Sequence, residues 1–190
     1  MKTLLRPAVM LFVVLTVLTG VIYPLAVTGI GQLLFPHAAN GSILTVNGKP
    51  VGSELIGQQF SSPDHFWGRP SATGPYPNNA AASSGSNLGP LNPALTDAVK
   101  ARIDALRAAD PGNTRPVPID LVTASASGLD PDISLAAAYY QSERVARVRN
   151  LPVEQVKMLI ARHAEYPWLG IFGEPRVNVL RLNLALGSNR

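Results

Sequence analysis

The chain contains no cysteine. That excludes disulfides, thiolate metal sites and cysteine nucleophiles, and the fold must hold without covalent staples. Acidic residues are missing from the start of the chain, the first being Glu54. Between Arg6 and Lys49 there is no charge of either sign. Short catalytic signatures are missing as well. No P-loop, no G-x-G-x-x-G and no G-x-S-x-G occurs. Ser125 and Ser127 have no Lys or His beside them, and His37, His65 and His163 are too far apart for ligand spacing. The expectation is therefore no catalytic residue, no metal site and no bound cofactor.

What stands in place of charge is apolar length. Residues 8–35, AVMLFVVLTVLTGVIYPLAVTGIGQLLF, would reach about 42 Å as a helix, against about 30 Å of bilayer hydrocarbon. A cleaved signal peptide is the rival reading. The run is longer than a signal core, and "PLAVTG" is a poor cleavage site, so a membrane anchor is favoured. Lys2 and Arg6 flank its N-terminal end, and no Lys or Arg follows for over a dozen residues. The positive-inside rule then keeps residues 1–7 in the cytoplasm and places residues 37–190 outside. Pro24 interrupts the run, its ring pressing on the carbonyl of Gly20. Thr16, Gly20 and Gly31 fall within about 60° on a helical wheel, a stripe on which another helix could pack closely.

Beyond the anchor the remaining charge is balanced, fourteen basic against twelve acidic residues. That argues against a nucleic-acid surface. Asn47-Gly48 between β-branched residues predicts a hairpin over 42–51. ELIGQQF, 54–60, and VPIDLVT, 117–123, read as strands. Asn92 and Pro93 read as the cap and first residue of a helix carrying Leu95, Val99, Ile103 and Leu106 at helical spacing. Asp130-Pro131 reads as the start of another, running from about Ile133 to Arg149, with Arg144, Arg147 and Arg149 on a solvated face. Pro152 opens a third, and PRVNVLRLNLAL reads as a strand followed by a short helix. The fold class is α+β: one N-terminal transmembrane helix followed by one mixed extracytoplasmic domain.

Residues 68–93 are rich in Asn, Ser, Gly and Pro, and after Arg69 they contain no charge. As an interdomain tether they would leave only 37–67 on one side, too short to bury a core unaided. The expectation is a fixed loop within one domain, with Arg69, Asn87 and Leu88 as interface candidates.

Several runs resemble the KdpC family, the accessory subunit of the bacterial potassium-transporting P-type ATPase. They are GSELIGQQF (52–60), FWGRPSA (66–72), SGSNLGPLNP (84–93), PIDLVTASASGLDPDIS (118–134), RVARVRNL (144–151) and EPRVNVLRLNLAL (174–186). The resemblance covers essentially the whole chain. It implies a place in the bacterial inner membrane beside a channel-like potassium-binding subunit, a P-type ATPase subunit and a small single-helix subunit. ATP and potassium would be handled by those partners. The family is described as a catalytic chaperone that raises the ATP affinity of the hydrolysing subunit, and no D-K-T-G-T phosphorylation motif occurs in this chain. Part of the family has been likened to an ABC-type signature, for which Ser84, Gly85, Ser86 and Asn87 would be the counterpart. With the domain outside, direct contact with ATP is excluded, and any influence must pass through the helix and subunit interfaces. Two readings from other classes remain: a membrane-anchored outer hydrolase using Ser with Lys49 or Lys100, and a secreted binding module.

Overall fold

An uncharged apolar run has one stable single-segment form in hydrocarbon, a helix whose backbone groups bond one another. In the computed structural model, which describes residues 2–167, 170–171 and 173–187, that run is helical from Lys2 to Leu34. It comprises α1 (Lys2–Val17), a five-residue π-helical turn (Leu18–Ile22) and α2 (Tyr23–Leu34). The stretch Leu4–Leu34, 31 residues, is long and apolar enough to cross a membrane. The wider turn comes just before Pro24, with the Tyr23 N–H donating to Leu18 O. It sits where the proline ring would otherwise press on the preceding turn. The chain leaves the helix at Phe35 (φ −135°) and makes one short turn, α3 (Pro36–Ala39).

The predicted hairpin is present as β1 (Ile43–Val46) and β2 (Lys49–Ser53). Asn47 and Gly48, with φ of 51° and 74°, supply the two left-handed residues that the tight turn requires. The chain divides into two compact units, Met1–Pro50 and Val51–Arg190.

In the second unit α4 (Pro93–Ala109) starts as expected, with the Asn92 side chain accepting from the Ala94 N–H. Strands β3 (Asp132–Ser134), β5 (Arg176–Asn178) and β4 (Ala164–Glu165) form an antiparallel sheet in the order β3-β5-β4, Ile133 opposite Val177. Helices α5 (Leu135–Arg149), α6 (Val153–His163) and α7 (Val179–Gly187) pack on it and on one another. Ile133, Val145, Val156, Ile160, Val177 and Leu182 are almost wholly buried in their common core.

Three expected elements differ. Residues 54–60 are not a strand: the Ser53 hydroxyl accepts from the Leu55 N–H, turning the chain, and Gly57 N donates to Leu129 O. Residues 117–123 hold a 3-10 turn (Ile119–Leu121) rather than a buried strand. Leu121 is buried while Ile119 is 75% exposed, so the apolar run faces both ways. The fifth helix begins at Leu135, not at Ile133. Residues 132–134 pair with β5, and the Ser134 hydroxyl accepts from the Ala137 N–H as the cap. Asp130 is engaged elsewhere, accepting from Asp132 N and from Arg69.

Candidate functional site

Residues 62–67 run as irregular backbone from the surface into the core, with Ser62 and Pro63 exposed, Phe66 fully buried and Trp67 nearly so. Buried peptide groups need partners, and here helix side chains provide them. Asn183 on α7 accepts from Phe66 N (2.8 Å) and donates to Phe66 O (3.0 Å). Gln141 on α5 does the same for Trp67, at 2.8 and 3.1 Å. Each carboxamide imitates one rung of a strand partner. Arg144, 1% exposed, donates to Pro63 O, to His65 O (3.0 Å) and to Gln141 Oε1 (2.6 Å). Two guanidiniums lie against the Trp67 ring, Arg144 at 4.9 Å and Arg102 at 5.1 Å. Arg102 also donates to Leu121 O and Gly68 O, both at 3.0 Å. Burial lowers the affinity of both cations for their proton, that of Arg144 down to about 10. Among the described residues neither forms a salt bridge with a carboxylate.

The solvated face expected for Arg144, Arg147 and Arg149 is thus corrected. Only Arg147 is turned outward, reaching Asp110 at 2.7 Å. Arg149 is buried against Asp64, donating to its carbonyl at 2.5 Å. The Asp64 carboxyl is held below its usual range, chiefly by the Ser62 hydroxyl. Burial opposes this, and His65 (2.8 Å) and Arg149 assist.

Residues 68–93 are fixed by a different set of bonds. The Ser71 hydroxyl donates to Gly128 O (2.7 Å) and accepts from the N–H groups of Asn78 (2.9 Å) and Thr73 (3.3 Å). The Thr73 hydroxyl donates to Tyr76 O and accepts from Asn79 N. Ser84 N and the Ser83 hydroxyl both donate to Ser127 O at 3.0 Å. A Cβ on Gly85 would lie 2.8 Å from Ala126 O, and one on Gly128 (φ +68°) 2.5 Å from the Thr73 methyl. The loop is therefore bound along residues 125–128 at backbone contact, as a fixed element of the second unit.

Of the residues expected to matter, Ser84 and Gly85 lie in this seam, Asn87 (φ 51°) is exposed beyond it, and Ser86 and Leu88 line a groove with α4. Arg69 is drawn inward, donating to Asp130 (3.0 Å) and Ala124 O (3.4 Å). Its Nε is buried without a hydrogen-bond partner. In the first unit, Gly20 lies within the π turn and has nothing within 4 Å of its Cβ position, while Gly31 faces Ala39 at 4.0 Å. The wheel that aligns them with Thr16 assumes 100° per residue throughout, and the wider turn interrupts that count. Asp130, expected to start a helix, belongs instead with Asp132 to a charged cluster with Arg69 and Arg176. Burial raises the Asp132 pKa, opposed by Arg176.

Sequence reasoning missed Gln141 and Asn183 and misplaced Arg144 on a solvated face. A signal was present: Ala137, Gln141, Arg144 and Val145 share the spacing of an inward stripe. Two polar side chains on such a stripe imply buried bonds to a backbone that lacks other partners.

The sequence profile of one family, "KdpC: K+-transporting ATPase, c chain", matches residues 5–188. A protein of Polaromonas naphthalenivorans named "Potassium-transporting ATPase KdpC subunit" is 72% identical over 188 residues, 99% of this chain and 96% of that one. Proteins of the same name from Herminiimonas arsenicoxydans and Herpetosiphon aurantiacus are 67% and 63% identical. The first alignment covers 100% of both chains, the second 98% of this chain and 96% of the relative. With that coverage at that identity, the chain belongs to the KdpC family, the c chain of the K+-transporting ATPase.

Proposed function

We propose that the protein is a non-catalytic accessory subunit of an ATP-driven potassium importer, anchored by its first helix with the N-terminus in the cytoplasm and the domain from about residue 37 outside. The observation that carries this reading is the family match from residue 5 to 188, spanning both the apolar helix and the folded unit. The cations Lys2 and Arg6 at the N-terminal end of the helix, with none after it until Lys49, support the orientation. The partners are the channel-like potassium-binding subunit, the ATP-hydrolysing subunit and the small single-helix subunit. Placed outside, residues 84–87 meet no cytoplasmic nucleotide. Influence on ATP affinity is then a coupling free energy transmitted through helix and subunit contacts.

Within the complex the bonded 68–93 loop supplies a docking surface through Asn87 and Leu88, and small residues along the helix, Thr16 before the π turn, Gly20 within it and Gly31 beyond it, each admit a neighbouring helix. Affinity purification in mild detergent from potassium-starved cells is expected to recover the other subunits. Their absence would defeat the reading. A compartment-sensitive reporter fused after Arg190 is expected on the outer side of the membrane, and a cytoplasmic signal would overturn the topology. Asn87→Asp is expected to weaken assembly, and so is Thr16→Leu combined with Gly20→Leu. Unchanged recovery of partners would remove those residues from the interface.

A further inference from the structure

The groove beside the fixed loop changes chemistry along its length. Its larger part, ≈ 410 Å³, is walled by Leu95, Ala98 and Ala101 of α4 with Leu88 and Val122 opposite. Pro70, Ser71 and Arg102 form one end of that groove and also line a smaller polar pocket of ≈ 190 Å³, to which Arg69 contributes. The ionised residues lining the two are Arg69 and Arg102, both cations. Arg102 satisfies itself with two carbonyls and an indole face and has no carboxylate salt bridge among the described residues. Arg69 is paired with Asp130 and keeps only its Nε–H, which is buried, without a partner. A guanidinium desolvated this far gains most from a carboxylate, which accepts two N–H donors at once. The apolar trough next to it favours side chains that leave water.

We infer that this groove receives a polypeptide segment of another subunit, laying apolar side chains along α4 and a carboxylate against Arg102. The inference rests on the accessory-subunit reading and names the chemistry of one contact within it. Occupancy by lipid, or by a second copy of this chain, is the alternative to be tested.

The test uses the full-length chain in the assembled, detergent-purified complex. A photo-crosslinking benzoylphenylalanine replaces Ala101, an exposed lining residue, and the adduct is identified by mass spectrometry. The expected adduct is a peptide of another subunit carrying Asp, Glu or a chain-terminal carboxylate beside apolar residues. Its yield is expected to fall about tenfold or more in Arg102→Gln, as a desolvated charge pair loses one member. Because Arg102 also holds two carbonyls, Leu88→Glu serves as the second variant. It places a rival anion at the half-exposed edge of the trough and is expected to lower the yield with an unchanged melting temperature. If the subunits co-purify but the adduct is lipid, a second copy of this chain, or a peptide without a carboxylate, the inference fails and the accessory role stands. Full crosslink yield in Leu88→Glu likewise overturns it. If no subunit co-purifies, both fail.

Discussion

Residues 62–67 and 68–93 are adjacent and irregular, yet they are held largely by different means. The first segment runs inward to the buried Phe66 and Trp67 and is bonded by long polar side chains reaching from helices, Gln141, Arg144 and Asn183. The second lies at the surface and is bonded by its own short side chains, Ser71, Thr73 and Asn79, and by backbone contact with residues 125–128. The difference teaches where each segment's stability resides. Phe66 and Trp67 are part of the core and share its fate. Residues 68–93 carry a local frame of their own.

Arg144→Leu breaks the comparison most severely. It strips donors from Pro63 O, His65 O and Gln141 Oε1 within the core, an expected loss of about 3–5 kcal/mol. Denaturant unfolding of the detergent-solubilised chain measures it, with loss of protection expected across 62–67 and α5 together. Gly128→Ala attacks the seam instead. Strained backbone and a Cβ against Thr73 and Ser84 are expected to cost about 2–3 kcal/mol. Ser71→Ala removes the acceptor of two N–H groups, for about 1–2 kcal/mol. In both seam variants amide exchange is expected to rise at Asn78 and Asn79 while 62–67 stays protected. Equal loosening of the two segments would end the distinction between them.

The smallest effect is a pH control lying outside both segments. His163, at the end of α6, has its pKa lowered below 6.5, first by burial and then by Arg181. The unfolded chain therefore takes up the proton first as pH falls. The stabilising contribution is complete above 6.5 and is lost as pH drops through the folded value. His163→Gln is expected to flatten the melting temperature across that window, and an unaltered slope would assign the pH dependence to another group.

The legible parts of the fold were those specified by local chemistry. The uncharged run, the Asn47-Gly48 turn and the Asn92-Pro93 helix start need no distant partner to form. What misled was context. Asp130 has the makings of a helix cap, but its oxygens face Arg69 and Asp132 N, and Ser134 caps the helix in its place. Arg144 looks solvated in sequence because its bonding partners lie about eighty positions earlier. The neutral loop was legible as fixed through its missing charge and through domain size, but the seam along 125–128 was not. Gly85 and Gly128 declare close contact only when their neighbours are known.

The π-helical turn at Leu18–Ile22 holds one residue more than a regular turn needs. The helix after it, α2, is swung by about 100° relative to an unbroken spiral. The two halves of the rod thus present different faces. Removing a single residue there would leave the rod apolar and nearly as long, yet would misdirect one half of it.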